Sequence, residues 1–311
     1  MKEDSIDNEP CSCSSEIRDT GLIQIQEMIH EEKGDEVCCG PPPAPPSNPN
    51  ERPGYRMLHF VSGFIETETG TVPMVDTSLN WRDRAGSFFA RIGSSRNNYK
   101  IAPGLYAVGR PSPDSPVLVT ANYKLTFDAL RKGLDRHNLW ILVLDTRGIN
   151  VWCAAGKGSF GTDELVDRIK KVRLDQVVDH GKLILPQLGA TGVCARDVAR
   201  RSGFRISWGP VRAEDIRSYL EKNQKADDHM RRVTFPLMQR LVLIPVEVTN
   251  IIKQTAMAVI FTFIISGIGS SIFSLHQAWQ RGLQGFTAII AGIISGAVLT
   301  PLLRPWLPGR A

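Results

Sequence analysis

Leu139-Trp140-Ile141-Leu142-Val143-Leu144-Asp145-Thr146-Arg147-Gly148-Ile149-Asn150-Val151-Trp152-Cys153-Ala154-Ala155-Gly156-Lys157 decides the reading of this chain. An unbroken apolar run that ends in a polar turn with glycine reads as a strand buried on both faces. Past it comes a cysteine followed by two alanines, a glycine and a lysine, where a helix can begin. A thiol at the rim of a sheet can become a low-pKa thiolate and a strong, soft ligand.

The pattern continues outward from that stretch. Val117-Leu118-Val119 is a short buried strand, followed by a helix from Ala121 to Leu134. A helix over Thr162–Val172 follows, with Leu165, Val166, Ile169 and Val172 on one face. Then come a strand at Lys182–Pro186, a helix at Val193–Ser202, a strand at Phe204–Trp208 and a helix at Ala213–Asn223. Short strands alternating with helices predict an α/β domain of Rossmann-like type with a mostly parallel sheet. Such sheets bind ligands beyond the carboxyl ends of their strands. Four loops leave those ends, starting at Thr120, Asp145, Gln187 and Gly209, and the second carries Cys153.

Either side of this domain the texture changes. Residues 1–52 are polar and proline-rich, with Pro41-Pro42-Pro43-Ala44-Pro45-Pro46 as a stiff linker, and are expected to be a disordered tail with weak helical periodicity over Gly21–Glu32. Residues 53–230 form the expected globular domain, in which Tyr55–Gly109 is mixed and the stretch Gly86–Ile101 reads as loops with a short helix. Residues 231–311 read as a membrane domain. Thr255–Leu275 and Leu283–Leu303 carry no charge and are long enough to span a bilayer. Gln277–Gly282 would be the interfacial turn between them, Phe235–Val248 an interfacial or partial span, and Gly292/Gly296 a close-packing pair. Lys222, Lys225, Arg231, Arg232 and Arg240 precede the spans, which puts the globular domain on the cytoplasmic side of a multi-pass inner-membrane protein.

Composition excludes several classes. The net charge of +5 is scattered and not interleaved with aromatics, so no nucleic-acid surface is expected. The six cysteines, Cys11, Cys13, Cys38, Cys39, Cys153 and Cys194, show neither zinc-ligand spacing nor a ferredoxin run, so no intrinsic iron–sulfur cluster is expected. Residues 1–20 carry acidic groups throughout, unlike a secretory signal. Gly156-Lys157-Gly158-Ser159 fails as a phosphate loop, since Val151 stands where the first glycine belongs and Gly158 where Ser or Thr belongs. A Cys–His acyl-transfer site would need His137 or His180, and neither has a supporting motif. Cys194, beside Val193 and Val198, reads as a small core residue inside a helix.

Asn150-Val151-Trp152-Cys153-Ala154-Ala155-Gly156-Lys157 resembles, without departure, the signature of the mercury-methylating corrinoid proteins. Gly104-Leu105-Tyr106-Ala107-Val108-Gly109 and Ser115–Thr126 are similar to the corrinoid-binding region of the large subunit of the corrinoid iron–sulfur protein. The resemblance runs from about Arg56 to the C-terminus. It implies a corrinoid (cobalamin-type) cofactor beneath which the quoted motif forms a cap helix, with Cys153 as the lower axial cobalt ligand. Val151 and Trp152 would flank that ligand, and the small Ala154, Ala155 and Gly156 would let the backbone approach the ring. Asn150 and Lys157 close the motif. Thr120 and Thr126 would hydrogen-bond the corrinoid's lower side or tail. Gly189-Ala190-Thr191-Gly192 and Val211-Arg212-Ala213 would cradle its detached nucleotide tail, or else serve as turns.

The implied activity is transfer of a methyl group from methyl-cobalt to Hg(II), with thiolate donation through the metal assisting release. A folate-linked system would supply the methyl group, and a ferredoxin-like protein the electrons. Only two spans are visible where that family has about five, so the membrane domain is expected to be truncated. Two other readings stay open: a membrane-associated corrinoid methyl carrier of one-carbon, acetyl-CoA-pathway metabolism, and a non-catalytic cobalamin-binding membrane module. Cys38-Cys39 could hold Hg(II), or be incidental to the tail.

Overall fold

The computed structural model describes residues 45–48, 51–54, 58–93, 96–234, 236–242, 244–269, 272–303 and 305–306. The expected helical periodicity at Gly21–Glu32 and the cysteines at 11, 13, 38 and 39 lie outside them. The described chain falls into two compact units. The first includes the described residues up to Asp83 and Asn97–Arg232; the second comprises the described residues of Arg84–Arg96 and Val233–Ala311.

The first unit is built on a seven-stranded sheet of order β1-β2-β3-β5-β4-β6-β7. Its strands are β1 (Val61–Thr67), β2 (Gly70–Val75), β3 (Gly104–Val108), β4 (Val117–Ala121), β5 (Leu139–Leu144), β6 (Lys182–Leu185) and β7 (Arg205–Trp208). The four strands β5-β4-β6-β7 are parallel. All of β4 and β5 is buried, as their unbroken apolar sequence requires. Their side chains feed two cores. Val119, Ala121, Leu142 and Leu144 pack with Val151, Ala154, Leu165 and Ile169 on one face. Leu118, Ile141 and Val143 pack with Phe127, Leu130 and Leu134 on the other. At about 1.5–3 kcal/mol for each large apolar side chain, these two faces dominate the stability of the unit.

Five helices belong mainly to this unit: α2 (Lys124–Lys132), α3 (Val151–Gly156), α4 (Thr162–Lys171), α5 (Ala195–Ser202) and α6 (Ile216–Glu221). A further helix, α1 (Trp81–Arg91), starts in it.

The mostly parallel expectation holds: β2–β3, β4–β5, β4–β6 and β6–β7 pair in parallel, and only β1–β2 and β3–β5 are antiparallel. β3 pairs antiparallel to β5, from Gly104–Val143 to Val108–Leu139, and β1 and β2 form a hairpin joined to β3 at Met74–Ala107. The glycine-rich texture hid all three strands. Gly86–Ile101, read as loops with a short helix, contributes most of α1. Ala121 stays in β4, so the helix after it begins only at Lys124. Ala213–Asp215 is a 3₁₀ turn ahead of α6. Cys194 is the residue capping α5, not a residue within it, and its N–H donates to Thr162 Oγ1 at 2.9 Å.

One buried ion cluster ties distant parts of the sheet unit together. Lys124 and Arg131 of α2 reach Asp83, with Nζ–Oδ1 at 2.8 Å and Nη2–Oδ2 at 2.7 Å. The second is an ion contact too bent to be an aligned hydrogen bond. Asp128 accepts from both cations, and His59 Nε2 lies 2.7 Å from Asp83. Burial pushes the Asp83 carboxyl up, but hydrogen bonds from Lys124 and His59 and the ion contact with Arg131 outweigh it and hold the group well below the usual carboxylate range. Removing one member of such a cluster leaves an unpaired buried charge, at a cost of about 3–5 kcal/mol.

The second unit contains α7 (Leu237–Leu241), α8 (Ile244–Gly267) and α9 (Leu275–Ile293), with a π-helical segment at Ile294–Leu299 and a last turn, α10 (Thr300–Leu303). Leu237–Gly267 and Leu275–Leu303 are each long and apolar enough to cross a membrane. The turn between them is not Gln277–Gly282, which lies inside α9. It is the short pairing of Ile268–Gly269 with Ile272–Phe273, which ends the first expected span before Leu275. The close-packing glycines also differ from expectation. A methyl group on Gly282 would strike Phe263 Cδ1 at 2.6 Å, and one on Gly285 would strike Thr262, whereas Gly292 and Gly296 have nothing within 4 Å. The small residues that let α8 and α9 approach are therefore Gly282 and Gly285.

Candidate functional site

In the order β5-β4-β6-β7 the chain winds one way from β4 to β5 and the other way from β4 to β6. Such a reversal leaves a crevice at the carboxyl ends of the two central strands, because the flanking loops turn apart there. A cavity of about 240 Å³ occupies this place. Thr120, the last residue but one of β4, lines it, Pro186 and Leu188 follow β6, and Gly209-Pro210-Val211 follow β7. Asn150, Val151 and Trp152 form one wall, and Thr126, Leu130, Ala213 and Ile216 line it from other elements. The lining is mainly apolar, as expected for a site that takes up a flat organic group. Thr120 is only 2% exposed, and its hydroxyl has no hydrogen-bond partner among the described residues. A hydroxyl in the cavity lining can hydrogen-bond a guest.

The wall is built by a relay that starts at Asn122. This residue is fully buried just past β4. Its Oδ1 accepts from Thr146 Oγ1 (2.9 Å), Thr146 N (3.2 Å) and Gly148 N (3.0 Å), and its Nδ2 donates to Asp145 Oδ1 (2.9 Å). These bonds clamp a tight turn in which Arg147 (φ 56°) and Gly148 (φ 76°) are both left-handed and Ile149 N donates to Thr146 O at 3.1 Å. Such turns favour glycine at one of the two central positions. The turn delivers Asn150 in an extended conformation as the N-cap of α3, where its Oδ1 accepts from Cys153 N at 2.9 Å. Asn150 is thus doubly used, as cap and as cavity wall.

Helix α3 inverts the usual distribution of side chains. Val151, Ala154 and Ala155 face the core and are buried. Trp152, 52% exposed, stands outward with half-buried Cys153 and exposed Gly156. Positions 152, 153 and 156 share one helical face. The small side chains of Ala154 and Ala155 let α3 sit on the sheet. Gly156 alone keeps the outward role, since a methyl group added there would meet nothing within 4 Å. Lys157 is the half-buried residue that ends the helix.

Of the residues singled out in the sequence, Thr120, Thr126, Asn150, Val151, Trp152 and Ala213 meet at the cavity, and Val211 and Arg212 join them there. Cys153 lies beside it on the outward face of α3, not in its lining. Gly189 and Ala190 do not line it either. A methyl group on Gly189 would strike Phe160 Cε1 at 2.6 Å, and one on Gly192 would strike Phe160 O and meet Ala155 Cα at 2.9 Å. Gly189 and Gly192 thus pack on Phe160 and the back of α3, while Ala190 and Thr191 between them are exposed. His137 and His180 bond to the carbonyls of Asp135 and Ser115 in turns. Sequence reasoning missed Asn122, whose bonded partners lie 23 to 26 residues away. Its one local signal is a lone amide directly after an apolar strand.

Residues 94–219 match the family described as CO dehydrogenase/acetyl-CoA synthase delta subunit. A protein of Archaeoglobus fulgidus named acetyl-CoA decarbonylase/synthase complex subunit gamma is 31% identical over 130 residues, covering 41% of this chain and 27% of that protein. The subunit gamma of Methanopyrus kandleri is 30% identical over 129 residues (41% and 28%), and subunit gamma 2 of Methanosarcina thermophila is 33% identical over 123 residues (38% and 26%). The chain spans about a quarter of the length of these relatives. Residues 94–219, a segment that includes every residue lining the cavity, are therefore similar to that delta-subunit family.

Proposed function

We propose that the first unit binds a corrinoid at the switch-point crevice and carries a methyl group on it. The observation that supports this most is the overlap between the segment matching the delta-subunit family and the segment that builds the crevice. The residues present suit such a group. A cavity of about 240 Å³ is far too small for a whole corrinoid and fits one appendage of it. The outward face of α3 offers an aromatic ring, a thiol and a bare glycine to a flat macrocycle. Thr120 and the half-buried Thr126 both place a hydroxyl-bearing side chain in the cavity lining.

When bound, the corrinoid would supply a cobalt centre able to accept and release a methyl group. The chain's own residues do the rest. Cys153 would be the lower axial ligand, its backbone fixed by Asn150 and, through the turn, by Asn122. As a thiolate ligand, Cys153 would make the bound cobalt more electron-rich and would favour acceptors that take a methyl group with its bonding electrons. The nearest reading to the relatives is a methyl carrier of one-carbon metabolism. One specific observation favours Hg(II) as the acceptor: the complete motif Asn150–Lys157, whose resemblance is to mercury-methylating proteins. On that reading a ferredoxin-like donor returns the electrons, a folate-linked system supplies the methyl group, and α8 and α9 anchor the chain in the inner membrane with the α/β unit on the cytoplasmic side.

The test is to load the full chain, in detergent, with cobalamin and record its visible spectrum beside that of Cys153→Ala. Bound corrinoid in both, with a ligand-dependent shift only in the unaltered chain, supports the axial role. Identical spectra would reduce Cys153 to a surface thiol. Supplying Hg(II) to the methyl-loaded protein then separates the two acceptors, since only the mercury reading expects methylmercury dependent on Cys153.

A further inference from the structure

Helix α1 is inside out. Its buried residues are Asp83 and Ala90, one face of the helix at i and i+7. Its large apolar residues point the other way: Trp81 is 72% exposed, Phe88 61% and Phe89 50%. These three lie on a stripe with Ala85 at i, i+4, i+7 and i+8. The two phenylalanine rings pack edge to face with centroids 5.8 Å apart. Exposed arginines edge the stripe: Arg82 on one side, with its guanidinium 5.5 Å over the Trp81 ring, and Arg84 and Arg91 on the other. An apolar face of this kind on a helix edged by basic residues is the design of segments that lie in a membrane interface. Long arginine side chains there keep their stems in the apolar layer and their heads at the phosphates.

The second unit sets the depth. Gly93, just past α1, sits against α8: a methyl group on it would meet Thr249 Cγ2 at 3.1 Å. Thr249 lies six residues before Thr255, where the charge-free run begins. At the helical rise of 1.5 Å per residue this is about 9 Å, the outer edge of the headgroup layer if α8 crosses a bilayer.

We propose that α1 lies flat on the bilayer surface, with Trp81, Phe88 and Phe89 at the acyl boundary and Arg82, Arg84 and Arg91 on the phosphates of anionic lipids. This rests on the reading that α8 and α9 span the membrane, and the two can fail separately. Release of the chain from vesicles by alkaline carbonate would remove the spans, and this inference with them.

For a retained chain, the probe is Trp81 in the full chain, reconstituted in phosphatidylcholine nanodiscs with and without phosphatidylglycerol. Its contribution is the difference between the unaltered chain and Trp81→Phe. The expected result is quenching of that contribution by lipids brominated on the acyl chain, and shielding from acrylamide, both stronger with phosphatidylglycerol. Arg84→Glu/Arg91→Glu should lose the dependence on phosphatidylglycerol, and Arg84→Lys/Arg91→Lys should keep it. Acrylamide quenching as strong in nanodiscs as in free solution would overturn the proposal. So would shielding that appears only when a second copy or another protein is added.

Discussion

Helices α3 and α4 follow one another in the chain and obey opposite rules. In α4, Leu165, Val166 and Ile169 face the core, and Glu164, Asp167 and Lys171 lie on the outside, held by ion pairs such as Glu164–Arg168 at 2.7 Å. In α3 the small residues go inward while a tryptophan and a cysteine face out. The first pattern maximises stability, because large apolar groups leave water. The second forgoes that gain, and an element that does so while being capped and clamped by Asn150 and Asn122 is built to present its outer face. Helix α1 inverts the rule in a second way, burying an aspartate and showing three aromatics. The difference teaches where to look: the helix that packs well is scaffold, and the helices that pack backwards meet something else.

The comparison can be broken by mutations whose effects should separate. Cys153→Ala is expected to have the largest functional effect. Methyl transfer should fall more than about a hundredfold, beyond the 10–100-fold typical of outer-shell changes at metal sites, while the thermal midpoint stays unchanged. Leu165→Ala in α4 should do the reverse. It should cost about 2–5 kcal/mol in denaturant unfolding and leave the spectrum of the bound corrinoid intact wherever the chain is folded.

Asn122→Ala should do some of both. It strips an acceptor from Thr146 and Gly148, at about 1–3 kcal/mol, and it loosens the turn that sets Asn150, so the spectral signature of Cys153 should weaken as well. A full loss of stability with an intact signature would make Asn122 purely structural.

A pH titration addresses the buried side of α1. Asp83 is held below its ordinary range in the folded chain, so folding favours its charged form. That stabilisation is complete above the unfolded carboxylate value of about 4 and is lost as the pH falls below it. Unfolding free energy should therefore decline on acidification below that point, and Asp83→Asn should be less stable at neutral pH with a flatter acid limb. Trp152→Ala, like Cys153→Ala, should change stability little, within about 0.5 kcal/mol, with a clear loss of corrinoid affinity.

Much of this was legible in the sequence, for identifiable reasons. Unbroken apolar runs gave β4, β5 and β6, and 3.6-residue periodicity gave α4. The rim position of Cys153 followed from strand and loop order alone. What stayed hidden depends on contacts far apart in the chain. β3 joins the sheet antiparallel through β5, which no local pattern records. Asn122 earns its role from partners more than twenty residues away. The inward turn of Ala154 and Ala155, and the packing of Gly189 and Gly192 on Phe160 and α3, became visible only once α3 was seated on the sheet. Small residues beside a functional cysteine invite a ligand-facing reading, yet close packing needs them equally. Likewise Gly282 and Gly285, not the Gly292/Gly296 pair, meet the facing helix, because register between two helices is not written in either one.

The most direct test of the central claim is the cobalt X-ray absorption spectrum of the corrinoid-loaded full chain beside that of Cys153→Ala. The account expects a sulfur neighbour at bonding distance from cobalt in the unaltered chain and only nitrogen or oxygen neighbours in the variant. The same neighbours in both would contradict it, leaving α3 as a wall of the crevice with no bond to the metal.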